Sequence, residues 1–235
     1  MTFSWRRVNA IFQKDYKDFS RNMAVSITIF FPIVLAALYS RMGVDSIHAY
    51  FLLINMTFAM VTTFVQTCLI AEEKEKNTLR GLMLSPASTL EILAGKSILS
   101  FILTIGVVFF TILFSDYRPQ NIALFTVAII LSALFYIWLG TILGLFAKSV
   151  MEASVLVLPV MVIFSFGTFL INFADDYPIL KVAKYLPNSQ LVELAQALEL
   201  GSGFGDVLMN FVVITGWIVI AFVSMTILYR RRTFD

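Results

Sequence analysis

Six stretches of this chain are apolar for about 20 residues or more, the length needed to cross the hydrocarbon core of a bilayer. Nothing else constrains the fold as strongly. In lipid every backbone N–H and C=O must find a partner within the segment or in a closed barrel, and runs of this length without period-two alternation are helices. The expected spans are Met23–Met42, Ala49–Ala71, Ile92–Ser115, Asn121–Ala147, Ala153–Phe173 and Val207–Tyr229. With 59% hydrophobic and 14% charged residues, the composition belongs to a polytopic membrane protein and not to a soluble domain. The expected fold is therefore all-α and integral to the membrane, with residues 1–235 forming one domain of six transmembrane helices. A net charge of +2 gives no reason to expect nucleic-acid binding.

Ahead of the first span, residues 1–22 read as an amphipathic helix. Trp5, Val8, Phe12, Tyr16 and Phe19 recur at three- and four-residue steps, with Arg6, Arg7, Lys14, Lys17 and Arg21 across from them. Such a helix should lie in the headgroup region with its apolar side down. The run Met23–Met42 is longer than the apolar stretch of a cleaved signal and is expected to remain as a span, with a kink at Pro32. Of the 17 Lys and Arg residues all but Arg41, Arg118, Lys181 and Lys184 fall on the side of the N-terminus, so the positive-inside rule places both termini in the cytoplasm.

The longest charged interruption is Glu72 to Pro86, between the second and third spans. From Glu72 to Leu84 the residues favour helix, and Leu79, Leu82 and Met83 share a face at i, i+3, i+4 spacing. Ser85-Pro86 stops it, and Ser88-Thr89-Leu90-Glu91 then has the form of a capping box that opens the next helix. This arrangement, together with Gly95-Lys96, resembles the first cytoplasmic loop of type-2 ABC transporter permeases, with Asn77 where that family often has glycine. The resemblance implies that residues 72–86 form a coupling helix, with Glu72, Glu73, Glu75, Thr78, Leu79, Leu82 and Met83 contacting a separate ATPase subunit. It further implies an N-terminal connecting helix, two ATPase copies carrying ATP and Mg, and a second permease subunit, identical or related.

Polar stripes on two spans suggest where a cargo passes. Asn55, Thr62 and Gln66 lie within about 40° of one another on the second span, and Ser154, Ser165, Thr168 and Asn172 line up on the fifth with Met161 between them. The resemblance implies that these residues line the route and the dimer interface; the alternative is that they glue helices within one subunit. Neither stripe holds a fixed charge, which favours an external energy source over proton coupling. Between the fifth and sixth spans, residues 174–206 contain a proline-led apolar pattern at Leu191, Leu194, Ala195 and Leu198 that is too short to span, and are expected as short outer-leaflet or re-entrant helices.

Catalytic chemistry is not expected. Gly95-Lys96-Ser97 looks like the tail of a phosphate-binding loop, but Leu90 stands where the first glycine is required. One histidine, His48, and one cysteine, Cys68, make no metal cluster, and Asp175-Asp176 reads as a turn. The expected function is a non-catalytic permease subunit of an ATP-driven exporter in the bacterial cytoplasmic (plasma) membrane. The resemblance implies an amphipathic cargo such as an antimicrobial peptide, a lipid or a hydrophobic drug. The alternative is a stand-alone immunity or sensor protein that binds a peptide at 174–206 without transport.

Overall fold

A computed structural model describes residues 3–173 and 176–231, with the side chains of Ala24, Leu79, Arg80, Met83, Asn172, Arg230 and Arg231 outside the description. The described residues contain helices and turns and no strand. We label the helices α1 Trp5–Arg21, α2 Met23–Ile27, α3 Phe30–Arg41, α4 Ile47–Glu75, α5 Thr78–Met83, α6 Thr89–Ser115, α7 Ile122–Phe146, α8 Val150–Leu170, α9 Pro187–Glu199 and α10 Phe204–Arg231. Two 3-10 segments, Ile171–Phe173 and Pro178–Tyr185, precede α9. Among the described residues five helices, α4, α6, α7, α8 and α10, are long and apolar enough to cross a membrane.

The expected first span differs. Met23–Met42 is divided into α2 and α3 by a turn at Thr28 and Ile29. Pro32 explains the position: it has no N–H for the carbonyl four residues back, which is that of Thr28, and its ring crowds that carbonyl. Thr28 C=O instead accepts a tighter bond from Phe31 N at 3.4 Å. What the sequence reads as a kink is a break one turn upstream of the proline.

The bundle is built around α4. Its apolar window is 89% buried inside the chain, against 28% to 44% for the other four spans. Small residues make this possible. At Gly140 of α7 a Cβ would sit 2.6 Å from the carbonyl oxygen of Thr63, and at Gly144 a Cβ would sit 2.6 Å from Cβ of Ile70. Those two glycines bring the α7 backbone against α4, as a GxxxG pair does. Through the middle of α4, Thr57–Thr63 winds as a π-helix, and the Thr63 hydroxyl donates to Phe58 O at 3.1 Å.

The starts of four spans are capped as their residue types require. Ser46, Ser88, Asn121 and Ser149 each accept a backbone N–H at a helix start, and Ser88 with Glu91 forms the expected capping box. The segment before α10 runs back along that helix, mostly exposed until α9 begins. The Trp217 indole donates to Tyr185 O at 2.7 Å, and Trp217 lies more than three turns into α10, roughly 20 Å along its axis from Phe204. From that depth α9 climbs back with Leu191, Leu194, Ala195 and Leu198 buried among α4, α8 and α10. Residues 178–199 thus run out along α10 and back without forming a span of their own; Ala174 and Asp175 lie outside the described residues.

Candidate functional site

The charged interruption folds in two pieces and not as one helix from Glu72 to Leu84. Helix α4 continues to Glu75, and the chain then turns at Lys76 and Asn77 before the six-residue α5. Asn77 adopts φ 55°, the left-handed conformation that ends many helices. Asparagine tolerates that region better than other side-chain-bearing residues, so it does here what glycine would do. The Thr78 hydroxyl donates to Glu73 O at 3.3 Å and fastens α5 to the end of α4.

The acidic residues expected to meet a partner have separate fates. Glu72 is half-buried and holds Lys76 Nζ at 2.5 Å. Glu75 is exposed and accepts Val150 N at 2.9 Å, tying the end of α4 to the first turn of α8. Glu73 is 3% exposed and turned inward, so its carboxylate has no free surface for a partner. Its Oε1 lies 2.9 Å from Lys96 Nζ and also bonds Lys14 Nζ. Thr78 is exposed, Leu82 half-buried and Leu84 81% exposed, while the side chains of Leu79 and Met83 lie outside the description.

Around Glu73 is a buried ion cluster that sequence reasoning missed. Lys96 of α6 is completely enclosed, and its ammonium sits between Glu73 of α4 and Asp15 of α1, the latter at 3.5 Å. Asp15 is itself 1% exposed. Burial pushes its carboxyl up to about 6, with Lys96 pulling the other way. For Lys14, burial lowers the pKa, but its hydrogen bond to Glu73 and the charges of Glu73, Asp15 and Asp18 outweigh that and raise it. One turn away Glu91 serves two ends at once. It closes the capping box on Ser88, accepts Ser4 N at 2.6 Å and pairs with Arg7 at 3.2 Å. Val8, Ile11, Asp15 and Phe19 form a second stripe on α1, and it is the buried one. Gly95 faces it, where a Cβ would stand 2.8 Å from Cβ of Ile11.

The two polar stripes also separate. On α4, Thr62 bonds Thr104 of α6 at 2.6 Å, and Gln66 donates to Thr141 of α7 at 2.9 Å and accepts from Ser100 of α6 at 2.7 Å. Both are fully buried, in the position of internal glue. Asn55 is 1% exposed, and neither atom of its amide has a partner among the described residues. On α8, Ser154 bonds back to Val150 O at 2.9 Å, and Met161 packs on the main core. Ser165 and Thr168 instead line a cavity of about 180 Å³ with His48, Leu52, Phe169 and Val192, between the N-terminal end of α4, α8 and α9. The side chain of Asn172 lies outside the description. Among the described residues no group of His, Cys, Asp and Glu could hold a metal ion.

A comparison with curated proteins gives no match. The family model described as "ABC-2 family transporter protein" matches residues 35–228, from within α3 to near the end of α10. That stretch holds nearly all of the five long spans, the interrupted segment after α4 and the short helices before α10, leaving α1 and α2 outside it. With most of its length matched, the chain belongs to the ABC-2 transporter family and is a multi-pass membrane permease of the ABC type.

Proposed function

We propose that this chain is the permease subunit of an ATP-driven exporter that moves an amphipathic molecule, and that α5 receives the push of a separate ATPase. The observation that carries the reading is the mounting of α5. It is a short helix set off from α4 by a left-handed turn, with Thr78, Gly81 and Leu84 exposed. Beneath it the Asp15–Lys96–Glu73 cluster fixes α1, α4 and α6 to one another, so the platform under α5 is stiff. Two permease subunits would work with two ATPases, which hold the ATP and Mg, and the termini would face the same side as the ATPases. For the route, Ser165 and Thr168 beside the cavity at the N-terminal end of α4 are the polar groups best placed to meet cargo.

The test is co-purification of the wild type and of Leu82→Asp with Leu84→Asp, taking the ATPase as the phosphate-loop protein retained by the wild type. Burying two leucine side chains contributes about 3–6 kcal/mol, so the variant should lose at least about a hundredfold in retention while inserting at normal yield. Retention at the wild-type level, or a wild type that retains no such protein, overturns the proposal. A thermal melt of the variant in detergent separates lost contact from lost fold.

A further inference from the structure

Helix α1 shows four distinct sides when its residues are placed at about 100° each. The buried stripe of Val8, Ile11, Asp15 and Phe19 meets α6. On one flank Trp5, Phe12 and Tyr16 form an aromatic row, with Trp5 71% and Tyr16 58% exposed. The other flank carries Arg7, Lys14 and Asp18, all in ion pairs with this chain's own residues. The outward side, between aromatic row and paired flank, carries Arg6, Lys17 and Arg21 within about 60° of one another.

These three bases are exposed and have no acidic partner among the described residues. The acids of α1 do not neutralise them, because Asp15 is buried against Lys96 and Asp18 sits with Lys14 and Lys76. Beside them is an open groove between α1 and α6, lined by Trp5, Arg6, Val8, Asn9, Phe12 and Ile98. Its floor is apolar, and Arg6 and Asn9 stand at its rim. The helix meets the stretch Val25–Arg41 at 92°, which lays it across the direction of that helix.

We infer that this groove and the base row above it hold an anionic phospholipid, with an acyl chain against Phe12 and Ile98 and the phosphate on Arg6. The charge is complementary, and the aromatic row sets the depth: indole and phenol rings settle at the headgroup boundary, where long basic side chains reach up to phosphates. A protein partner would instead have to cover Trp5 and Tyr16 within the bilayer boundary. The consequence is local, since α1 is fastened to Glu73 and Glu91 on either side of α5, so headgroup charge bears on the seating of the proposed lever. The lipid site stands or falls independently of the ATPase reading, because its readout is the lipid itself.

The experiment is quantitation of phospholipid retained after detergent exchange from vesicles of equal phosphatidylglycerol and phosphatidylcholine. One basic side chain near an anionic surface is worth roughly a fivefold preference, so the wild type should retain the anionic lipid in clear excess. Arg6→Ala with Lys17→Ala and Arg21→Ala should bring retention of the two lipids to near parity, a loss on the order of a hundredfold if all three act fully. Arg118→Ala, at the opposite end of the bundle, should leave the excess in place. Equal retention by the wild type, an undiminished excess in the triple variant, or an equal loss in Arg118→Ala overturns the inference. A melt of the triple variant within a few degrees of the wild type ties the loss to charge and not to unfolding; loss of lipid only through loss of fold counts against the site.

Discussion

Replacing Lys96 with methionine tests whether the buried cluster holds α1, α4 and α6 together. Methionine keeps nearly the same length and volume, so the change removes charge without opening a cavity. In the wild type the four side chains Lys14, Asp15, Glu73 and Lys96 balance to zero, with Lys96 fully enclosed and Asp15 and Glu73 1% and 3% exposed. Without Lys96 two buried carboxylates share one ammonium, Lys14, which is itself partly exposed. Breaking a buried pair from one side costs about 3–5 kcal/mol. Part of that is relieved if a proton replaces the lost charge. Asp15 already titrates at about 6 with Lys96 beside it, and Lys96 pulls that value down, so in the variant it rises further. The cost should therefore be largest near pH 8 and smaller near pH 5. Adding Asp15→Asn to Lys96→Met restores charge balance and should return stability to within about 1–2 kcal/mol of the wild type. The assay is reversible unfolding in mixed micelles, followed by tryptophan fluorescence. A Lys96→Met protein within about 1 kcal/mol of the wild type at pH 8, or one that Asp15→Asn does not rescue, refutes the account.

Two more outcomes follow from the same packing. Because the folded-state value of Asp15 is raised from 3.8 to about 6, its contribution is complete below about pH 4 and is lost as pH rises through 6. The change is about 3 kcal/mol across that window; the unfolding midpoint should fall from pH 4 to pH 7, and this component should vanish in Asp15→Asn. Gly144→Ala puts a methyl 2.6 Å from Cβ of Ile70 and 2.8 Å from Thr67 O, which should cost about 1–3 kcal/mol and lower the melting temperature; Gly106→Ala, with open space at its Cβ, should not.

Apolar length made the long spans legible, because a bilayer requires it and few other constraints compete. Ser88 with Glu91 was legible for a similar reason: capping depends on residue type at fixed spacing. The buried face of α1 was not. Val8, Phe19, Phe12, Trp5 and Tyr16 fall within about 80° of arc, and periodicity alone cannot divide that arc between a protein side and a lipid side. The division came from Gly95, which admits Ile11 and thereby carries Asp15 to Lys96. In the sequence nothing about Lys96 points to a buried partner on α1. The turn at Asn77 was hidden because a left-handed residue other than glycine leaves little mark. The π segment Thr57–Thr63 follows no residue pattern that marks it in the sequence; the Thr63 hydroxyl bond to Phe58 O exists only once the helix is wound.

The distribution of hydrogen bonds limits which parts can move in the proposed mechanism. Helix α4 is joined to α6 through Thr62–Thr104 and Gln66–Ser100, and to α7 through Gln66–Thr141 and the Thr67 hydroxyl on Gly140 O. Each bond between membrane helices contributes only about 0.6 kcal/mol on average, but these lie along one buried seam and act together. The ion cluster adds α1 at the end nearest α5. A push on α5 then displaces α1, α4, α6 and α7 as a unit. Helix α8 differs: it is 28% buried, contains Pro159, and passes into 3-10 turns at Ile171. Pro159 removes the hydrogen bond to Val155 O, which makes that level of α8 the easiest to bend. The tie from Glu75 to Val150 holds its first turn, while a cavity already separates its far end from α4. The seam that opens in the proposed cycle is therefore between α8 and the rest, with Ser165 and Thr168 on the moving wall and the stripe on α4 helping to keep the fixed wall intact.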